Sequence, residues 1–182
     1  MTVTLVEEYN PVWPLWFEQL KTRLEGALGG VPHTIEHIGS TSVPGMTAKP
    51  IIDINIVCEP GGFPEIRDRL ATIGYAHNGD REIPGREVFK IPKEVLKARL
   101  PAHHLYVCEK GVRPLIEHIA YRDFMRQHAD WREKLGALKW SLCERYDNDR
   151  QAYMDGKSDM VKEITRLALT SLGKVRRSRD GR

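Results

Sequence analysis

The residues best suited to chemistry lie between His37 and Val57. Gly39 and Ser40 end an extended stretch that runs from Thr34 to Ile38. A second extended stretch, Ile51 to Val57, is apolar except at Asp53 and Asn55. Residues two apart in a strand point to one face. Asp53 and Asn55 are therefore neighbours, pointing away from Ile52, Ile54 and Ile56. A carboxylate in an apolar strand is costly unless it is paired, exposed or bound to a cation. Gly39 lets backbone approach a ligand closely, and the amides around Ser40 and Thr41 can form an anion-binding concavity. The segment thus offers a phosphate cradle facing an acidic strand. A tight turn followed by a buried strand with one salt-bridged Asp explains the same spacing, and spacing alone leaves both readings open.

The elements that must position these residues follow from periodicity. Val3 to Tyr9 alternates weakly and reads as a strand or an extended lead-in. Asn10-Pro11 marks a helix start, and Trp13, Trp16, Phe17, Leu20, Leu24 and Leu28 follow at helical spacing, a core stripe rather than a ligand platform. After Glu59-Pro60-Gly61-Gly62, Phe63 to Ile73 reads as a helix closed by Gly74. Tyr75 to His77 and Arg86 to Ile91 read as strands separated by turn signals, and Lys93 to Pro101 as a short helix or an excursion. Ala102 to Glu109 is a strand with His104, Tyr106 and Cys108 on one face and His103, Leu105 and Val107 on the other. From Pro114 the pattern is helical: Leu115 to Arg126, Ala129 to Asp147, and Arg150 to Leu172 with a break near Gly156. Strands alternate with helices and then helices dominate. The expectation is an α+β fold: a mixed β-sheet backed by helices, with a C-terminal helical bundle. The sheet core would span about 1–110, the helical part about 112–172, and a basic flexible tail 173–182.

Composition narrows the function classes. A chain of 182 residues suits a single domain. Three scattered cysteines (Cys58, Cys108, Cys143) with no Cys-x-x-Cys point to a reducing compartment and away from a zinc knuckle. No basic-then-apolar leader and no apolar run near twenty residues occurs, so the expected location is cytoplasmic, with no membrane partner. The formal net charge is +3, but 173–182 holds five of the 28 basic residues and one of the 25 acidic ones. The remaining body is close to neutral, unlike a typical nucleic-acid-binding domain. There is no Gly-x-x-x-x-Gly-Lys-(Ser/Thr) loop, no His-Glu-x-x-His, and Gly39-Ser40-Thr41-Ser42 does not fit Gly-x-Ser-x-Gly.

Gly39-Ser40, a connector of twelve residues, and then a strand carrying Asp53 resembles the signature of the DNA polymerase beta-like nucleotidyltransferase superfamily. The longer string Ile38-Gly39-Ser40-Thr41-Ser42-Val43-Pro44-Gly45, with Ala48-Lys49-Pro50-Ile51-Ile52-Asp53-Ile54, resembles the GrpB family within it, over about residues 7–170. The resemblance implies a nucleotidyltransferase-like sheet on which the Gly-Ser turn holds a triphosphate. Strand carboxylates would hold Mg2+ or Mn2+, because such ions demand hard oxygen ligands. Here the second carboxylate of Asp-x-Asp is replaced by Asn55, a neutral ligand, which weakens a dication site. The family's His-Leu-His strand is His104-Leu105-Tyr106 here. The implied metal set is Asp53, Asn55 and His104. The implied catalytic pair is Asp53 with His104 as a general base.

Substrate-binding residues are nominated by the same resemblance. Gly39, Ser40 and Thr41 form the turn, Lys49 precedes the acidic strand, and Arg86 holds a position that is basic in the family. Tyr106 shares a strand face with His104. His118 and Arg122 lie in a segment similar to His-Leu-x-(Phe/Tyr)-Arg-Asp, and Tyr153 and Lys157 match Tyr-x-x-x-Lys. Positions four apart on a helix share a face, so each helical pair can project together. Two functions are compatible with this set. One is a metal-dependent enzyme moving a nucleotidyl group from a nucleoside triphosphate to a small acceptor. The other is a non-catalytic nucleotide-binding or accessory domain supporting another enzyme, such as a coenzyme A pathway kinase. A protein partner or a homo-oligomer stays open, as does binding of some other phosphorylated small molecule.

Overall fold

Asn10 receives the Val12 N–H on its Oδ1 at 3.0 Å and starts α1 (Val12–Leu28). The helix buries Trp13, Phe17, Leu20, Leu24 and Leu28 along one stripe. In chain order there follow β1 (His33–Ile38), a single 3-10 turn (Ser40–Ser42), β2 (Ile52–Cys58), α2 (Phe63–Thr72), β3 (Ala76–His77), β4 (Glu87–Lys90) and β5 (His103–Glu109). Three helices complete the chain: α3 (Arg113–Gln127), α4 (Ala129–Arg145) and α5 (Arg150–Asp180). The computed structural model describes residues 5–92, 94 and 98–180.

The five strands form one mixed sheet in the order β1-β2-β5-β4-β3. β2 is antiparallel to β1 and parallel to β5, and the pairs β5-β4 and β4-β3 are antiparallel. The parallel pairing sets the register on which the candidate chemistry rests: Asp53 lies opposite His104, and Asn55 opposite Tyr106. One face of the sheet carries Ile52, Ile54, Ile56, Leu105 and Val107, which pack with α1 and α2 into the main core. The other face carries the polar pairs. There Leu115 of α3 covers Val57 and Cys108. A second core joins Val43 and Met46, from the connector before β2, to Phe124, Met125, Leu135 and Ile164 of the three C-terminal helices. The architecture is therefore the expected α+β arrangement. Among the described residues, no helix is long and apolar enough to cross a membrane, and all three cysteines are free and buried.

The structure corrects two sequence expectations. Gly156 does not break the last helix, because α5 runs continuously through it. Its missing side chain is a packing requirement: a Cβ there would stand 2.4 Å from Leu142 Cδ2 on α4. Helix α5 also continues to Asp180, past the end at Leu172 that periodicity gives it. The expectation for Lys93–Pro101 lies partly outside the described residues, as does the start of the Val3–Tyr9 lead-in. That lead-in is tied to the connector by a bridge between Glu7 and Ala48.

Two leucines of α1 measure the weight of the main core. Leu24 is completely buried and Leu15 is 67% exposed. Leu24→Ala should cost about 2–5 kcal/mol of unfolding free energy in urea titration, and Leu15→Ala no more than about 0.5 kcal/mol. Equal losses would contradict the placement of α1.

Candidate functional site

The turn after β1 is held by its own polar groups. Gly39 has φ +71°, which a residue with a side chain rarely adopts. Ser42 Oγ donates to the Gly39 carbonyl at 2.6 Å, and the Ser42 and Val43 amides close the 3-10 turn on Gly39 and Ser40. Thr41 is buried; its hydroxyl donates to the Ile51 carbonyl at 3.3 Å and lies 3.0 Å from His37 Nε2. His37 stacks on Phe17 with ring centres 4.6 Å apart. From α3, the Arg126 guanidinium donates twice to the Ser42 carbonyl, at 3.1 and 2.8 Å. Strand, turn and helix are thereby locked together.

The Asp53 carboxyl sits directly against this turn. A Cβ on Gly39 would lie 2.3 Å from Asp53 Oδ2, so only glycine permits the approach. The other carboxylate oxygen receives His104 Nδ1–H at 2.8 Å. Asp53 is reachable from solvent, its side chain being 27% exposed. The turn and the acid border one hollow of about 260 Å³. Its opposite wall comes from the helices: His118 and Tyr121 of α3, Lys139 of α4 and Lys157 of α5.

The structure brings together Asp53, Gly39, Ser40, Tyr106, His118 and Lys157 from the residues nominated by sequence. His104 flanks them through Asp53, with its own side chain 42% exposed. Five nominated binders do not line the hollow. Thr41 supports the turn from beneath. Arg122 donates to Glu36, Asp123 and the His37 carbonyl, so it fastens α3 to β1 instead of facing a ligand. Arg86 lies 5.0 Å from the centre of the Tyr106 ring. Tyr153 is buried, and the ammonium groups of Lys49 and Lys157 each stand 5.2 Å from its ring centre. Lys49 also donates to Met154 Sδ at 3.5 Å.

Asn55 does not reach the hollow either. It is completely buried, and its amide nitrogen donates to His118 Nδ1 at 3.3 Å. Its Oδ1 has no hydrogen-bond partner among the described residues. Burial, then the Arg86 charge, depresses the His118 pKa and keeps the ring neutral enough to accept. Among the described residues, no three His, Cys, Asp or Glu side chains are grouped to hold a metal ion.

Sequence reasoning missed Lys139. It is 2% exposed, and its side-chain nitrogen is hydrogen-bonded to Ser40 Oγ at 3.0 Å and donates to the Thr47 carbonyl at 2.6 Å. Burial pushes its pKa well below the ordinary lysine value, and the neighbouring Lys157 pushes the same way. A sequence signal for it exists: Lys139 is four residues after Leu135 and three before Leu142, inside the apolar stripe of its helix. Tyr121, which holds the Phe/Tyr position of the segment that carries His118 and Arg122, lines the hollow beside Ser40, and burial pushes its hydroxyl up to about 12. The Lys157 pKa is lowered by burial too.

The family model described as GrpB protein matches residues 3–167. The chain belongs to the GrpB family. It is 31% identical to the UPF0157 protein YqkA of Bacillus subtilis over 155 residues, covering 85% of this chain and 44% of that one. It thus spans less than half of YqkA. It is 32% identical to the UPF0157 protein BH1888 of Halalkalibacterium halodurans, over 92% of this chain and 83% of that one. A match at 25% identity, covering 87% of this chain and 44% of the relative, is to a dephospho-CoA kinase of Mycolicibacterium paratuberculosis. Among solved structures, the GrpB protein of Enterococcus faecalis superimposes with a TM-score of 0.78 at 29% identity, over 92% of this chain and 98% of that one. The Cid1 poly(U) polymerase, in a mutant bound to MgATP, gives 0.52 at 8% identity, over 72% of this chain and 42% of its own. That likeness is one of fold: this GrpB protein shares the nucleotidyltransferase-like sheet.

Two measurements check the turn. Gly39→Ala forces a side chain onto Asp53 at a left-handed φ and should cost at least about 1–3 kcal/mol in denaturant unfolding. An unchanged midpoint would show that the turn is not pressed on the acid. His37 gives a pH test: burial lowers its pKa from 6.5 to about 4. The folded state then holds His37 neutral while the unfolded chain protonates near 6.5. Stability is full above that value and is lost as pH falls towards 4, by about 1.4 kcal/mol for each pH unit crossed between the two. His37→Phe should flatten that loss in unfolding midpoints measured from about pH 7 down to about pH 4.

Proposed function

We propose that the hollow binds the phosphates of a nucleoside triphosphate, or of another phosphorylated small molecule. The observation that carries the reading is the pairing of opposite walls: the Gly39-Ser40 turn beside Asp53 on one, the half-buried ammonium of Lys157 on the other. A turn supplies amides to an anion, and a lysine in a partly desolvated wall gives charge-assisted hydrogen bonds. The nucleotidyltransferase-like fold supports the same chemistry by analogy.

Whether a metal suits these residues depends on their donors. A pair of ions does not fit, because the strand face offers one carboxylate and Asn55 is covered by His118. One Mg2+ or Mn2+ does fit. Asp53 would hold it, with phosphate oxygens and water filling the other positions, the usual manner for magnesium. Such an ion supplies charge neutralisation to the phosphates. The residues themselves bind and orient: Asp53 is fixed by His104, and Lys157 faces the anion. Transfer of a nucleotidyl group to a small acceptor is the enzymatic form of this reading. The second form is a non-catalytic or accessory nucleotide-binding domain. It is favoured by the sealed Asn55 and by the match to part of a dephospho-CoA kinase.

Calorimetric titration with ATP, GTP, CTP and UTP, with and without Mg2+ or Mn2+, tests the reading. Lys157→Ala should weaken triphosphate binding by about tenfold or more, since hydrogen bonds to charged groups contribute roughly 1.5–3 kcal/mol. Affinity should fall as pH rises through the lowered Lys157 pKa, because the free protein then loses the ammonium that the phosphates require. Asp53→Ala should weaken binding with Mg2+ present and strengthen it in EDTA, where the carboxylate only repels. Failure of every phosphorylated compound to bind would end the proposal.

A further inference from the structure

The Ser40–Lys139 contact is unusual for a structural lysine. Among the described residues its nitrogen has no carboxylate as hydrogen-bond partner, only the Ser40 hydroxyl at 3.0 Å and the Thr47 carbonyl at 2.6 Å. A buried lysine without a counter-ion is stable in its neutral form. A neutral amine can donate to the Thr47 carbonyl and accept the Ser40 hydroxyl proton at once. Ser40 itself stands where a strand ends at the left-handed Gly39 and a 3-10 turn begins, with its side chain on the hollow. Tyr121 lines the same hollow beside Ser40. A hydroxyl, a base in contact with it and a second hydroxyl on the same hollow are the parts of an activated nucleophile.

We propose that Ser40 is a nucleophile, activated by Lys139 and oriented by Tyr121, that accepts a nucleotidyl group from a triphosphate bound in the hollow. The step rests on the phosphate-binding reading above. Ser40 Oγ bonds to the α-phosphorus while its proton passes to Lys139 Nζ. The bond from that phosphorus to the bridging oxygen breaks, and pyrophosphate leaves with the electron pair. Lys139 then returns the proton to the departing pyrophosphate or to water. The product is a phosphodiester between Ser40 and the nucleoside, with no change of oxidation state. Asp53 is not the base, since among the described residues it is Lys139 and not Asp53 that is hydrogen-bonded to Ser40 Oγ.

Incubation with each of ATP, GTP, CTP and UTP plus Mg2+, followed by intact-mass and peptide-mapping spectrometry, decides the matter. The expected result is a gain of one nucleoside monophosphate less water, located on Ser40 and absent from Ser40→Ala. Lys139→Met should slow its formation by about 10²-fold or more, the range for loss of a general base. Because Lys139 is buried, the wild type offers a readout that needs no substitution. Lys139 is faced by Asp53 of β2, Lys157 of α5, Lys49 of the connector and, through Ser40, Tyr121 of α3. The adduct rate should rise with pH until Lys139 is neutral and then level off, and Tyr121→Phe should lower the plateau. Triphosphate binding by calorimetry with Ser40 left unmodified would overturn the inference while leaving the binding site intact. An adduct formed at the wild-type rate by folded Lys139→Met would remove the base. Absence of triphosphate binding would remove the substrate and, with it, both readings.

Discussion

Everything at the site depends on one close approach, the backbone of Gly39 against the carboxylate of Asp53. Asp53 lies on the strand antiparallel to the one that Gly39 follows, with Ile38 opposite Asp53 in register. The chain must therefore bend away at the residue after that pair, and the bend must pass over the acid. A left-handed glycine is the residue that permits both. The bend then hands the chain to a 3-10 turn whose polar groups are satisfied internally, by Ser42 on Gly39 and by Thr41 on Ile51. Ser40 is the turn residue left facing the hollow.

The helices complete what the sheet begins. Strands β2 and β5 place Asp53 and His104 side by side, but on these two strands the face they share carries no lysine or arginine. Positive charge arrives from α5 through Lys157, while α4 brings the buried amine of Lys139 to the same hollow. Arginines of α3 do not join them. Arg122 and Arg126 spend their donors on Glu36, Asp123 and backbone carbonyls of β1 and the turn, which holds the helical wall at a fixed distance. Lysines face the opening and arginines hold the scaffold. That division suits their chemistry, since the planar guanidinium locks geometry and the amine can change its charge.

Much of this is legible in the sequence. Strand alternation locates Asp53, His104 and Tyr106 on one face, and the Gly-Ser pair after Ile38 marks the turn. Helical spacing gives α1 through its aromatic stripe. The parts that are not legible share a cause: they depend on contacts between distant elements. Gly156 looks like a helix breaker in isolation, because glycine has low helix propensity. Only the approach of Leu142 shows that it is there to let two helices meet. Arg122 reads as a phosphate clamp until Glu36, eighty-six positions earlier, is seen to take its charge. Asn55 reads as a weak metal ligand until α3 lowers His118 onto it. Lys139 is hidden in the opposite way. It sits in an apolar stripe and passes for an ordinary charge, although a lysine in such a stripe must be dehydrated and must find acceptors.

The two hydrophobic cores have a mechanical consequence. One unites the sheet with α1 and α2; the other unites the connector after the turn with the three C-terminal helices. The hollow lies along the seam between these bodies, with walls from both. Any molecule lodged there acts as a rivet: its attachment energy is added to the docking of the helical half on the sheet. Melting of the empty chain can begin by parting at the seam, whereas the occupied chain must surrender its guest before the halves separate.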